Sequence, residues 1–224
     1  MTALTFTLKN ATDFKINCSH LTPNLLKGLT LSQIQGLTLA NGHNAPKVAD
    51  FFEVNGNDTE NIIFSNSTSQ LDYIGYKMKN GSITIQGDTG DFLGCQMQNG
   101  TIICQGSAGD RVGDQMRRGV ILIDGNAGNY CASRIIAGTV GIYGQVGKFL
   151  GFAMKRGTLL VTQQPSLHAT IQDCGSHTLP FLALLFQSFK SYPTKFNTVN
   201  NLRVRRFAGD LACNGSGEVL VISP

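Results

Sequence analysis

One short stretch of the sequence gathers side chains that could do chemistry: His168, Asp173, Cys174 and His177, within Leu-His-Ala-Thr-Ile-Gln-Asp-Cys-Gly-Ser-His-Thr-Leu-Pro. Two imidazoles, a thiol and a carboxylate can ligate a metal, and a thiol beside an imidazole can act as a nucleophile. Their spacing matches no standard zinc ligand set, and a Cys–His pair also needs an orienting group and an oxyanion hole. The expectation is a turn whose histidines bond nearby backbone groups ahead of a helix. His20 and His43 stand in the N-terminal region without evident partners. The six cysteines (Cys18, Cys95, Cys104, Cys131, Cys174, Cys213) contain no C-x-x-C pair, which argues against structural zinc and against a disulfide framework. Asp72, Asp88, Asp91, Asp110, Asp114 and Asp124 fall near predicted turns and read as turn formers, not as a catalytic carboxylate pair. No catalytic residue and no metal ligand is assigned.

Charge supplies a different kind of candidate. Arg117-Arg118 and Lys155-Arg156 follow a recurring methionine, at the place held elsewhere by Lys79-Asn80, Gln98-Asn99 and Ile136-Ala137. From Arg111 to Gly157 the basic residues Arg111, Arg117, Arg118, Arg134, Lys148, Lys155 and Arg156 meet only Asp114 and Asp124. The guanidinium fork binds carboxylates bidentately, so the stripe is a candidate receptor for anions. The alternative is a solvated corner that keeps the protein soluble. A formal charge of +4 over 224 residues is too mild to argue for nucleic acid.

The elements that position these residues follow from an internal repeat. Gly81, Gly100, Gly119, Gly138 and Gly157 are each 19 apart, as are Gly87, Gly106, Gly125 and Gly144, and Gly90, Gly109, Gly128 and Gly147. Gly75, Gly94, Gly113 and Gly151 share that register, with Ala132 in the missing place, and so do Met78, Met97, Met116, Ile135 and Met154. Each unit carries a short aliphatic strand, at 82–85, 101–104, 120–123, 139–142 and 158–161. Two apolar columns (Ile83 to Leu159 and Ile85 to Val161) flank a mixed one (Thr84, Ile103, Leu122, Gly141, Leu160), the pattern of strands with one inward face.

Units of this length bury a core only by stacking on one another, so the fold class expected is all-β, a right-handed parallel β-helix over residues 62–162. The methionines should point inward, and the Gly87, Gly106, Gly125 corner should need φ > 0. The recurring Gly-x-x-Gly-x-x-x-Gly lacks the strand–loop–helix setting and lysine of a phosphate loop. Residues 1–61 read as an N-terminal cap with irregular units around Ile34 to Leu39 and Phe52 to Val54. Residues 163–224 read as a C-terminal cap, with a helix over about 178–191, N-capped by Thr178 and apolar nearly all round, then a hairpin over Asn214-Gly-Ser-Gly. The start lacks the pattern of a signal peptide and no apolar run could span a bilayer, so a cytoplasmic chain with no membrane partner is expected.

Three runs carry a resemblance: Tyr73-Ile-Gly-Tyr-Lys-Met-Lys-Asn-Gly, Gly109-Asp-Arg-Val-Gly-Asp-Gln-Met-Arg-Arg-Gly, and Asn129-Tyr-Cys-Ala-Ser-Arg-Ile-Ile-Ala-Gly. With Asp173-Cys-Gly-Ser-His-Thr-Leu-Pro-Phe and Arg205-Arg-Phe-Ala-Gly-Asp-Leu-Ala-Cys-Asn-Gly-Ser-Gly, the chain resembles the family of formylmethanofuran dehydrogenase C subunits. Within it, the likeness is closer to the C subunit of the formyltransferase/hydrolase complex of methylotrophic bacteria, over roughly residues 48–222. The resemblance implies a non-catalytic subunit of a complex that transfers a formyl group from tetrahydromethanopterin to a methofuran-type carrier and hydrolyses it to formate. It implies three kinds of partner: hydrolase (A), molybdopterin-protein-like (B) and formyltransferase (D) subunits. It implies no cofactor bound covalently in this chain, and a carrier whose oligoglutamate tail could meet Arg117, Arg118, Lys155 and Arg156. Two other readings stay open: the C subunit of a molybdenum or tungsten formylmethanofuran dehydrogenase, and a glutamate-synthase-like β-helix domain. A left-handed solenoid acyltransferase is disfavoured by the 19-residue period.

Overall fold

The computed structural model describes residues 2–40, 42 and 45–222; His43 lies outside them. The chain is mostly β, built on one eleven-stranded mixed sheet. Its strands are β1 (Ala3–Leu8), β3 (Phe52–Asn55), β4 (Asp58–Ser67), β6 (Ser82–Gly87), β7 (Thr101–Cys104), β8 (Val120–Ile123), β9 (Thr139–Ile142), β10 (Thr158–Val161), β11 (Gln172–Thr178), β12 (Arg203–Gly209) and β13 (Gly217–Ile222). A two-stranded pair joins β2 (Ile16–Asn17) to β5 (Leu71–Asp72). Helices are α1 (Pro23–Leu26), α2 (Leu31–Gln35), α3 (Val48–Phe51) and α4 (Phe181–Phe189).

Strands β6 to β10 pair in parallel with a constant shift of 19: Ile83 faces Ile102, which faces Ile121, then Val140, then Leu159. Equal spacing makes equal residues neighbours, so the aliphatic columns become continuous ladders. The parallel run continues into β13 beside β10, and into β4 beside β6 and then β1 beside β4. Antiparallel strands finish it, β3 beyond β1 and β12 then β11 beyond β13. The sheet is open, with β3 and β11 at its edges.

Two further seams join successive units. Thr89, Ala108, Ala127 and Val146 form parallel bridges. Along 73–77 and its repeats, Tyr73 N–H donates to Asp91 O, Phe92 to Asp110, Arg111 to Asn129 and Tyr130 to Lys148. Between the seams lies an apolar interior in which Met78, Met97, Met116, Ile135 and Met154 are fully buried with Ile83, Ile102, Ile121, Val140 and Leu159. Burying one such side chain is worth roughly 1.5–3 kcal/mol, so the ladders supply most of the cohesion between units.

Several expectations are corrected. Gly106 and Gly125 do not have positive φ, although Gly87 does at 130°; they are glycines because the preceding unit's backbone passes too close. A Cβ on Gly106 would lie 2.5 Å from the carbonyl carbon and oxygen of Gly87. Positive φ belongs to other columns, including Gly100 at 108° and Gly119 at 100°. The strands do not have a single inward face. Ile103, Leu122 and Leu160 of the mixed column are buried on the far side by Leu182, Phe186 and Phe189 of α4 and by Phe196. The helix thus lies across the outer surface of the ladder, not on its end, and it is one-faced, leaving Phe181 and Leu184 exposed. Thr178 is not its N-cap: it ends β11, and Pro180 occupies the cap. The stretch from Ile34 to Leu39 holds part of α2 and an isolated Thr38–Lys47 bridge.

Candidate functional site

Each repeat unit presents a side that begins at the aromatic column Tyr73, Phe92, Arg111, Tyr130, Phe149 and ends just after the methionine. Three αL positions shape it. The first column has φ between 56° and 62°, the glycine column Gly75, Gly94, Gly113, Ala132, Gly151 lies between 55° and 73°, and Lys77, Gln96, Gln115, Arg134 and Ala153 lie between 53° and 57°. Alternation of αL with ordinary residues sends Ile74, Leu93, Val112, Cys131 and Leu150 inward and leaves the side chains of the first and third αL columns at least partly exposed. The αL conformation is costly for non-glycine residues, and the hydrogen bonds to both neighbouring units offset that cost.

Four of the sequence-predicted site residues fall at the far edge of this side. Arg117, Arg118 and Arg156 line an open depression of about 560 Å³ with Gln98, Ile136 and Ala137. The reason is local: the unit between the two basic pairs carries the neutral, shorter Ile136-Ala137, so the arginines stand on either side of a dip. Lys155 is the exception. It is exposed, but its Nζ donates to the Cys213 carbonyl at 3.2 Å and it does not line the depression. Among the described residues, Arg117, Arg118 and Arg156 have no ion-pair partner, so their charge is offered to solvent. A second hollow of about 240 Å³, lined by Lys77, Gln96, Gln98, Gln115, Arg117 and Ile136, continues across the side.

The excess of basic over acidic residues between Arg111 and Gly157 is redistributed once partners are assigned. Asp114 is buried at 2% side-chain exposure and binds Arg134 Nη2 at 2.6 Å, Arg134 Nε at 3.1 Å and Ser133 Oγ at 2.6 Å. Burial alone would raise the Asp114 pKa; these bonds, with one from Gln115, outweigh it and hold the carboxyl below the usual range. Asp124 lies on the opposite surface, accepting from Thr194 Oγ1 and the Lys195 N–H. Neither carboxylate therefore neutralises the arginine corner.

The segment with His168, Asp173, Cys174 and His177 does not assemble. Asp173 is exposed and salt-bridged to Arg205 on β12, while His177 Nε2 sits 2.8 Å from its own segment's Cys174 carbonyl. His168 is turned the other way, its Nδ1 2.7 Å from Thr170 Oγ1 and its ring against Phe152. Among the described residues no group of three His, Cys, Asp or Glu side chains could hold a metal. Burial pushes the thiols of Cys95, Cys104 and Cys131 up to about 11, about 12 and about 12. The buried cysteines are thus packing groups, not nucleophiles.

The aspartates do more than shape turns. Asp72, Asp91, Asp110 and Asn129 each accept, through Oδ1, the N–H of the residue 19 positions on. Asp88, Ser107 and Asn126 form a second such column. Sequence reasoning misses the aromatic column too, although its 19-residue spacing is there to find.

No protein-family model matches the sequence. Over 92 residues, 40% of this chain, it is 30% identical to the C subunit of the tungsten-containing formylmethanofuran dehydrogenase 2 of Methanococcus maripaludis. Over 89 residues it is 34% identical to the C subunit of the molybdenum-containing formylmethanofuran dehydrogenase 1 of Methanothermobacter marburgensis. The match spans only 34% and 22% of those curated relatives' lengths. One polypeptide in the crystal structure of the formyltransferase/hydrolase complex (FhcABCD) from Methylorubrum extorquens with methylofuran superposes with a TM-score of 0.60 at 29% identity. That likeness covers 97% of this chain and 98% of the other. Sequence and fold agree with the runs of residues quoted above: the chain is similar to the C subunits of formylmethanofuran dehydrogenase and, over nearly its whole length, to a polypeptide of the formyltransferase/hydrolase complex.

Proposed function

We propose that this chain is a non-catalytic structural subunit of a cytoplasmic one-carbon complex. That complex moves a formyl group from tetrahydromethanopterin to a methofuran-type carrier and hydrolyses it to formate. In this reading the repeats wind as a right-handed parallel β-helix. Its partners are a hydrolase, a molybdopterin-protein-like subunit and a formyltransferase. The observation that carries the reading is the end-to-end likeness to a polypeptide of a complex crystallised with methylofuran. A subunit that supplies shape needs rigid repeats and a recognition surface, and the 19-residue ladders and the unpaired arginine corner have those properties. The depression between Arg117, Arg118 and Arg156 suits carboxylates, either on a partner's surface or on the carrier's oligoglutamate tail. Among the described residues no helix is long and apolar enough to cross a membrane.

A molybdenum or tungsten formylmethanofuran dehydrogenase is the second reading, favoured by the shorter matches to methanogen subunits. Purification from the native cell, with the attached chains identified, separates the two. The isolated chain should be inactive in formyl transfer and in hydrolysis, because His168, Asp173, Cys174 and His177 do not converge. Turnover by the isolated chain that His177→Ala or Cys174→Ala abolishes would overturn the proposal.

A further inference from the structure

The edge of the same side opposite the arginine corner carries exposed rings. Phe149 is 40% and Phe152 43% exposed, the largest apolar exposures in the repeat region. They are not loose. Tyr130 and Phe149 stack with centroids 4.7 Å apart, Phe152 meets Tyr130 edge-on at 5.9 Å and Phe149 at 6.3 Å, and the Arg111 guanidinium lies 4.8 Å from the Tyr130 ring centre. The backbone beneath is pinned by the Tyr130 N–H to Lys148 O and the Arg134 N–H to Phe152 O bonds. Rings fixed in this way lose little freedom when covered, and aromatic and arginine side chains dominate the energetic centres of protein interfaces.

The surroundings define what could cover them. Along the five copies of this side, residues 73–80, 92–99, 111–118, 130–137 and 149–156, the charged residues are Lys77, Lys79, Arg111, Arg117, Arg118, Arg134, Lys155 and Arg156 against Asp114 alone. That is a net +7 on a chain whose total is +4, so all other surfaces together are acidic. Asp114 is spent on Arg134. A second copy of the chain would set this strongly positive side against itself, so self-association through it is disfavoured.

We propose that the Tyr130–Phe149–Phe152 cluster is the apolar centre of a docking surface for another member of the chain's complex. The partner surface presents a hydrophobic recess ringed by carboxylates that meet Arg111 and Lys148. The inference rests on the subunit role proposed above and adds the place of contact. It concerns the aromatic edge, not the arginine depression, so the two can be perturbed separately.

The test is co-expression of the tagged full chain with the other subunits of its complex, followed by affinity purification and size-exclusion chromatography with light scattering. Phe149→Ser with Phe152→Ser should lower recovery of partner subunits at least about tenfold. Lys148→Glu, which alters an exposed side chain, should weaken it as well, without change in thermal stability. If the wild-type chain retains no partner, the subunit reading itself fails. If wild type retains partners and both variants retain them equally, the docking surface is wrong. A wild-type homodimer that the double serine variant converts to monomer would overturn the proposal in favour of self-association.

Discussion

At the scale of single residues, Asp114 shows how a carboxylate inside the repeats is kept ionised. It occupies a column held otherwise by Tyr76, Cys95, Ser133 and Phe152, and only this unit has Arg134 one repeat ahead to receive it. The Asp114 pKa is below the ordinary value in the folded protein, so the pair stabilises the fold fully above the unfolded-state pKa and loses that contribution as pH falls through the folded one. Asp114→Asn should therefore cost roughly 1.5–3 kcal/mol at neutral pH. Thermal melts of both proteins should converge as pH is lowered through the carboxylate range. A constant gap at every pH would show that the charge is not what matters. The pair is not legible in the sequence, where Asp114 and Arg134 are two independent charges. Their contact depends on the 19-residue stacking, which places Ser133 over Asp114 and so brings the adjoining Arg134 within reach of the carboxylate.

At the scale of elements, the repeat strands are readable because each repeats the same residues at the same shift. Strands β7 to β10 coincide with the aliphatic runs at 101–104, 120–123, 139–142 and 158–161. The glycine corner is where the spacing puts it, but its cause at Gly106 is space and not a positive φ. A valine side chain there would enter the backbone of Gly87 and the Asp88 carboxylate, which lies 2.4 Å from where the Cβ would stand. Gly106→Val should lower stability by at least about 3 kcal/mol, read from a denaturant melt. An unchanged midpoint would mean that the units are not packed at this register. Helix α4 is legible as an apolar segment, but its place is not. Gly141 hints at it, since a Cβ there would lie 3.0 Å from the Phe196 ring, yet a glycine in a strand has several explanations until the covering segment is known.

At the scale of the molecule, one side is strongly positive while the rest of the chain is net negative, and the open depression of Arg117, Arg118 and Arg156 lies on that positive side. Unpaired surface charge acts chiefly on association, steering partners at low salt and fading as the Debye length shortens. Arg117→Glu with Arg118→Glu should leave the melting temperature nearly unchanged. Complex assembly or retention of the carrier should weaken, with the largest deficit at low salt, where the charge is least screened. Normal assembly and normal carrier retention at both low and physiological salt would reduce the corner to a solvated edge.

The sequence by itself determined the repeat: its period, its strands, its inward ladders of Ile, Val, Leu and Met, and the family resemblance. These are legible because stacking pairs each residue with its own equivalent, so the pattern along the chain is also the pattern of contacts. Only the tertiary structure decided what covers the outer face of Ile103, Leu122 and Leu160, which charges are spent on one another, and which rings stay bare. Those outcomes depend on segments without the period, such as Phe181–Phe189 and Phe196, meeting residues far away in sequence. No spacing rule encodes such a meeting; it is settled by which apolar surfaces remain to be buried once the ladders have formed.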